Sequence, residues 1–332
     1  MNRPLLVTMG DPTGIGPEII VKAWRDGAFD RLSRPLTVVG DVGVLLRAAA
    51  VYGTAPAVKP AADGAMNLCG GERQLTVQPL STLAAAALTY GAADAACGQA
   101  MLAYIEWACA RCLDGSAAGM VTAPISKSAI HAAGCAFPGH TELLAERCGV
   151  AKVVMMLAGE RLKVALVTTH LALRDVAKVL TAAEILATIR ITAAALRRDF
   201  GLAAPRLAVL ALNPHAGEDG LFGDEEVRLI APAIAKAQAA GIAASGPHSA
   251  DTLFHFAAQG AYDAVICMYH DQGLIPLKLL HFDDGVNVTL GLPIVRTSVD
   301  HGTAYDLAGT GRASAASLIA AVRLAEKMAG PG

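Results

Sequence analysis

Short apolar runs recur along the chain and end in polar clusters. PLLVTMG (4–10), LTVVGD (36–41), AGMVTAP (118–124), KVALVTT (163–169), RLAVLAL (206–212) and AYDAVICMY (261–269) read as buried strands, being short, partly β-branched and bounded by turn or polar residues. Helical patterns separate several of them: 16–25, an alanine-rich stretch within 81–113, 182–198, 225–240 and 313–328. Strands alternating with helices predict an α/β architecture around a largely parallel sheet. No internal repeat or low-complexity linker marks a domain boundary.

Composition narrows the picture. A chain of 332 residues with 54% hydrophobic and 17% charged content has enough apolar surface for a large core, and its length suggests two domains. Its 27 Lys and Arg residues are scattered and the formal charge is −2, so nothing resembles a nucleic-acid-binding patch. Mean hydropathy is +0.45, yet this comes mostly from alanine. No uncharged apolar run approaches the roughly 20 residues that span a bilayer, so no membrane segment is expected. MNRPLLVTMGDP lacks the features of a secretory signal, and the expectation is a cytoplasmic protein. Seven widely spaced cysteines argue for reduced thiols; Cys109 and Cys112, in CARC, lie in a helical pattern without a second pair at metal-site spacing and read as structural.

The chemistry gathers where strands should end. His170 follows KVALVTT, His215 lies in NPHAGE after RLAVLAL, and His270 lies in CMYHDQGLIPLK after AVICMY. One strand-end histidine is more often structural than a ligand; three on separate strands point to a divalent ion, because three imidazoles plus an open position suit a catalytic metal. Asp271 and Glu218 are placed to orient the rings. His131, His248, His255 and His281 lack the strand-end context. In FPGHTE, His140 and Thr141 follow a Pro-Gly turn; Thr141 could cap the helix that begins there, or both residues could contact an anionic ligand. MGDPTGIGPEI (9–19) has neither the third glycine of the dinucleotide fingerprint nor a P-loop lysine, so it reads as a tight strand-to-helix turn and leaves cofactor contacts unassigned. Lys278, Asn287 and Arg296, the last taken to end an apolar run, supply an anion clamp.

GDPTGIGPE, PGHTE, LNPHAGE, MYHDQG and GVNVTLGLPIVRTSVDHGTA occur in order along nearly the whole chain, and in these motifs it resembles the 4-hydroxythreonine-4-phosphate dehydrogenase family of pyridoxal 5′-phosphate biosynthesis. The resemblance implies an isocitrate/isopropylmalate dehydrogenase-like fold: two α/β/α domains with an active-site cleft between them, the first (1–130 plus 305–332) holding both termini, the second (131–304) carrying the metal histidines. It implies a homodimer whose metal, zinc, cobalt or magnesium, is held by His170, His215 and His270 drawn from both subunits. Substrate contacts carried over by motif are His140, Thr141, Lys278, Asn287 and Arg296.

The implied reaction is NAD(P)-dependent oxidation of 4-phosphooxy-L-threonine to 2-amino-3-oxo-4-phosphooxybutanoate, which decarboxylates to 3-amino-2-oxopropyl phosphate. The metal would lower the pKa of the reacting hydroxyl and stabilise the enolate left by carbon dioxide. Lys278 is the candidate for proton transfer, its pKa depressed by metal and cations, with Asp251 and Asp271 as rivals. VTAPISKSAIHAAG (121–134) fits the same superfamily but assigns no preference to Ser126 or Lys127. Relatives on this scaffold act on 4-phospho-D-threonate, 4-phospho-D-erythronate or an aromatic cis-dihydrodiol carboxylate. A metal-dependent hydrolase or lyase using the same histidines, and a non-catalytic ligand-binding protein, are the readings from other classes.

Overall fold

A computed structural model describes residues 3–330. In chain order the first elements are β1 (Leu5–Thr8), α1 (Gly16–Arg25), β2 (Leu36–Gly40), α2 (Val42–Val51), β3 (Ala57–Pro60), β4 (Met66–Gly70), β5 (Arg73–Pro79), α3 (Ala95–Leu113), β6 (Gly119–Thr122), α4 (Lys127–Ala132) and α5 (His140–Arg147). There follow β7 (Val154–Ala158), β8 (Lys163–Leu166), α6 (Leu173–Val179), α7 (Ala182–Phe200), β9 (Leu207–Leu210), α8 (Ala231–Ala239), β10 (Ala244–His248), α9 (Ala250–Ala257), β11 (Ala264–Cys267), α10 (His270–Leu280) and β12 (Val286–Leu290). The chain closes with β13 (Arg296–Val299) and α11 (Ala316–Met328).

Two compact units result, one comprising residues up to Ala151 and from Leu292 onward, the other Lys152–Gly291. These limits differ from the breaks expected at 130/131 and 304/305. Helix α5 packs on α3, and β13 pairs in parallel with β6, so both belong with the first unit. His140, Thr141 and Arg296 move into that unit with them. It also holds both ends of the chain: buried Arg34 donates to the carbonyls of Arg3, Ala329 and Gly330.

The first unit orders its strands β13-β6-β1-β2-β5-β4-β3. From β13 to β5 the pairing is parallel, and β3–β4–β5 is an antiparallel meander. The second unit orders them β10-β9-β11-β8-β7-β12. There β10, β9, β11 and β8 run parallel, while β7 pairs antiparallel with both β8 and β12. The sheets are thus less uniformly parallel than expected, because β7 returns directly into β8 through a loop too short for a crossover helix. Every residue of β1, β6, β8's last three positions, β9 and β11 is buried, the continuous apolar run of a parallel strand covered on both faces.

Helix α1 occupies the predicted span, with Pro17 in its first turn, Glu18 beside it and Ile19, Ile20, Ala23 and Trp24 buried. Within 81–113 only Ala95–Leu113 is a regular α-helix, starting where Asp94 accepts a hydrogen bond from the Cys97 amide. The expected 225–240 helix opens as a π-helical turn, Glu226–Ile230, before α8. Among the described residues no single helix is long and apolar enough to cross a membrane. All seven cysteines are free, and Cys109 Sγ lies 3.8 Å from Cys148 Sγ. Burial pushes the Cys109 and Cys112 thiols up to about 12 and raises Cys148, leaving them protonated and poor nucleophiles.

The buried Asp41 carboxylate caps α2 through the Val44 amide, and also accepts from the Ser81 hydroxyl and the Leu83 amide. Asp41→Ala is expected to lower stability by about 2–4 kcal/mol, combining a lost cap with orphaned buried donors. Asp41→Asn should lose less, since it keeps one acceptor oxygen. Urea denaturation checks the order, and equal stability of all three proteins would remove Asp41 as an anchor.

Candidate active site

Strands β9, β11 and β8 are neighbours, all parallel, and each delivers one of the three strand-end histidines. His270 is the first residue of α10, which two residues separate from the end of β11. His170 follows β8, where the Val167 amide donates to Cys267 O and the Thr168 hydroxyl to Met268 O, carrying the pairing past the formal strand end. His215 sits in the turn Pro214–Gly220 after β9. The carboxyl ends of adjacent parallel strands are where open α/β sheets bind ligands.

The His170 and His270 rings are 5.5 Å apart, centre to centre. Two imidazoles bound to one tetrahedral ion at about 2.0–2.1 Å stand roughly 5 Å apart, so this pair fits a shared divalent ion. His270 Nδ1 lies 2.7 Å from Asp271 Oδ1, which fixes the ring and leaves Nε2 for a ligand. Both histidines line a hollow of about 530 Å³ with Tyr269, Asp271 and Ile275. Tyr269 also lines a second hollow, of about 360 Å³, with His215, Ser249 and Asp251. Among the described residues no three His, Cys, Asp or Glu side chains converge as a metal-binding group. Within one chain, therefore, two of the three expected ligands form a close pair, and no third joins them as a metal-binding group among the described residues.

The His215 turn is left-handed. His215, Ala216, Gly217, Glu218 and Asp219 all have positive φ, between 44° and 82°. For each non-glycine residue this costs roughly 1–2 kcal/mol. Only glycine fits at 217, where a Cβ would come 2.7 Å from Glu226 Oε2. That carboxylate holds the turn. Glu226, 3% exposed, accepts from the Leu212 and Asn213 amides at 2.8 Å each and from Asn213 Nδ2 at 2.9 Å. Burial alone would raise its pKa; these donors outweigh burial and hold it below the usual carboxylate range.

Asp251 accepts from the Ser249 hydroxyl at 2.6 Å, which lowers its pKa and, with the nearby His215, keeps it ionised. Asp271 is engaged with His270. Lys278 lies two turns further along α10, half-buried, and Asn287 lies half-buried on β12 opposite Leu157. Glu218 belongs to the left-handed turn.

The first unit gathers the anion-binding candidates. Arg296 opens β13 instead of ending an apolar run, because the chain turns at Gly291–Pro293 before the strand begins. Its side chain is 3% exposed and donates to the Thr122 hydroxyl at 2.7 Å. Burial lowers its pKa to about 10, still charged at neutral pH. His140 begins α5; the cap is Gly139, so Thr141 lies within the helix and does not cap it. Burial pushes the His140 pKa well below its ordinary value, and the Arg296 and Lys127 charges push the same way, so the ring is neutral. Its Nε2 is buried without a protein partner, a state that costs about 1–3 kcal/mol unless a ligand completes it. Lys127, to which sequence reasoning assigned nothing, is thereby drawn to this cluster; only its place in the SKS triplet before a short helix marked it.

The glycine-rich GDPTGIG stretch is a tight turn, as its missing third glycine suggested. Buried Asp11 accepts from the amide and hydroxyl of Thr13 and from the Tyr305 hydroxyl, while a Cβ on Gly16 would strike Met9 O at 2.3 Å.

The family model described as pyridoxal phosphate biosynthetic protein PdxA matches residues 31–325. A 4-hydroxythreonine-4-phosphate dehydrogenase of Geobacter metallireducens is 58% identical over 98% of this chain and 95% of its own. The crystal structure of a 4-hydroxythreonine-4-phosphate dehydrogenase from Klebsiella pneumoniae superposes with a TM-score of 0.88 at 42% identity, covering 99% of this chain and 98% of that one. A terephthalate 1,2-cis-dihydrodiol dehydrogenase from Burkholderia xenovorans matches at TM-score 0.66 and 30% identity, over 98% of each chain.

Because the folded-state pKa of Glu226 is depressed, its stabilisation is present above the unfolded value near 4.5 and is lost as pH falls through the folded value. Glu226→Gln places an amide N–H₂ against donors and should cost about 1–3 kcal/mol at neutral pH. The difference from the natural protein should shrink on acidification below pH about 4.5. Chemical denaturation at pH 7 and pH 4 tests this; a pH-independent difference contradicts it.

Proposed function

This chain belongs to the pyridoxal phosphate biosynthetic protein PdxA family, and on that premise we propose that it is an NAD(P)- and metal-dependent dehydrogenase oxidising 4-phosphooxy-L-threonine to 2-amino-3-oxo-4-phosphooxybutanoate, with decarboxylation to 3-amino-2-oxopropyl phosphate. The observation that carries the reading is the His170–His270 pair at 5.5 Å with Asp271 fixing one ring, in a chain so similar to enzymes of that name. His170 and His270 would hold a divalent ion whose Lewis acidity would lower the pKa of a hydroxyl, and a nicotinamide cofactor would supply the hydride acceptor.

The chain's own residues divide the remaining work. Asp271 orients His270. In the first unit Arg296, with neutral His140 and Thr141, takes an anionic group of the substrate; in the second, Asn287 on β12 offers an amide. Asp251, held ionised by Ser249, is a weak base, and Asp271 is occupied. Lys278 is left as the group that takes the hydroxyl proton or returns one to the enolate carbon.

A metal site shared by two protomers is supported by two observations. Among the described residues the His170–His270 pair is not joined by a third side chain as a metal-binding group within one chain. Large apolar side chains are exposed on the same segments: Leu173 70%, Leu221 74%, Ile275 67% and Leu279 84%. A second copy of this chain is the occupant that would cover them while completing the ligand set.

Turnover of 4-phosphooxy-L-threonine with NAD or NADP, followed at the reduced-nicotinamide absorbance, should require a divalent ion and stop on chelation. Activity confined to an aromatic dihydrodiol carboxylate would overturn the substrate; product without nicotinamide reduction would make the protein a hydrolase or lyase. Lys278→Ala should lose most of its kcat while still binding metal.

Alanine variants at 170, 215 and 270 should each lose metal affinity and activity. If two ligands come from one protomer and the third from its partner, two of the three pairwise mixtures of these variants should recover about a quarter of normal activity, from the one intact site in each mixed dimer. Recovery in none of the mixtures would place the whole triad in one chain.

A further inference from the structure

Lys127 is the first residue of α4, and the loop before it is firmly built. Ser126 caps the helix by accepting from the Ala129 amide at 3.2 Å, and its hydroxyl lies 3.0 Å from that of Ser128. The lysine stem then runs toward the turn that opens α5, where Lys127 Cε lies 3.7 Å from the position a Cβ would take on Gly139. The next residue is His140, whose buried Nε2 has no protein partner. No carboxylate pairs with Lys127 among the described residues. Glu142 comes equally near the Gly139 position, its Oε2 also 3.7 Å away, so the turn holds one negative group against the charges of Lys127 and Arg296.

We propose that Lys127 is a substrate-binding residue that, with Arg296 and His140, forms a recognition site for the dianionic phosphate of the substrate. The proposal rests on the phosphorylated-substrate reading above and adds a residue to it. Arginine contributes a planar fork of donors, fixed here by its bond to Thr122, and lysine contributes a compact, mobile point charge. The neutral His140 imidazole contributes a hydrogen bond without adding a third cation. Burial and the two flanking charges keep it in that form. A phosphate dianion is drawn to these two cations more strongly than a monoanionic carboxylate, and its three terminal oxygens can accept from the arginine fork, the lysine and the imidazole together. The exposure of Lys127 lets it close over the ligand after binding, in contrast to the buried and preset Arg296.

The test is Lys127→Ala, with Lys127→Arg as the conservative variant, in the full-length, metal-loaded protein. Lys127→Ala should raise KM for 4-phosphooxy-L-threonine by about tenfold or more with kcat largely kept, and Lys127→Arg should recover most of the loss. With unphosphorylated 4-hydroxy-L-threonine the two proteins should differ little. Binding of inorganic phosphate, measured by calorimetry, should weaken by a similar factor. Equal losses on the two substrates, a loss in kcat alone, or phosphate binding that is absent or unchanged by the substitution overturns the assignment. A natural protein inactive on 4-phosphooxy-L-threonine, while Lys127→Ala still weakens phosphate binding, would overturn the substrate reading and leave the phosphate site standing.

Discussion

The buried carboxylate of Glu226 is the constraint from which the candidate metal chemistry follows. A histidine delivered from the end of β9 has to reach outward within a few residues, and here His215 opens a run of six consecutive left-handed positions, 215–220. Four of these are not glycine, so the strain is of the order of 4–8 kcal/mol. Charge-assisted hydrogen bonds to a buried carboxylate contribute about 1.5–3 kcal/mol each, and Glu226 accepts three at 2.8–2.9 Å from Leu212 and Asn213. The two quantities are comparable, so the turn exists because Glu226 holds its root. Strain of this kind survives where surroundings over-determine it, and such positions concentrate at functional sites.

Parallel pairing then explains why the other chemistry lies where it does. A parallel strand buried on both faces leaves polar groups only at its ends, and the ends of β8, β9 and β11 are adjacent because these strands pair side by side. The first unit uses the same device. β6 ends at Thr122 and β13 begins at Arg296, opposite Met120, so the arginine side chain reaches along the strand to the threonine hydroxyl. An arginine 3% exposed remains charged because its pKa, though lowered by burial, falls only to about 10.

The parts legible in the sequence are those where one local signal decides the structure. The continuous apolar runs gave β1, β6, β8, β9 and β11, and Pro17 with its apolar spacing gave α1. What stayed hidden depends on contacts distant in sequence. The β3–β5 meander is concealed because β3 is exposed throughout and its AVKP carries no alternation. Helix α10 is concealed because only two residues separate it from β11, so His270, Asp271 and Gln272 look like a strand's polar end while forming a helix's first turn, and Pro276 inside the helix argues against it. Gln272 explains part of that polar trio: it accepts from the Met268 amide and donates to Ala211 O, tying β11's exit to β9's. The unit limits lie away from 130/131 and 304/305 because α5 and β13 join the first unit through pairings with α3 and β6 that no local pattern announces. Lys127 carries no sequence signal beyond its charge; its relation to His140 is set by the α4 cap and the Gly139 turn.

The segments that bear the histidines also bear the exposed apolar residues. Leu171 and Leu173 follow His170, Leu221 and Phe222 follow His215, and Ile275 and Leu279 follow His270 at the four-residue spacing that puts them on one face of α10. A monomer would leave that surface in water at the mouth of its own polar site, a combination that isolated soluble proteins avoid. Under the shared-site proposal the coincidence has a physical reason. Covering these side chains and completing the ligand set become one event, so the free energy of burying apolar surface also brings the third imidazole to the other two. Neither the left-handed turn at His215 nor the Asp271-fixed ring of His270 then needs to satisfy a metal within its own chain; each need only present its ring, from a turn rooted on Glu226 or fixed by Asp271, to a surface that a second copy completes.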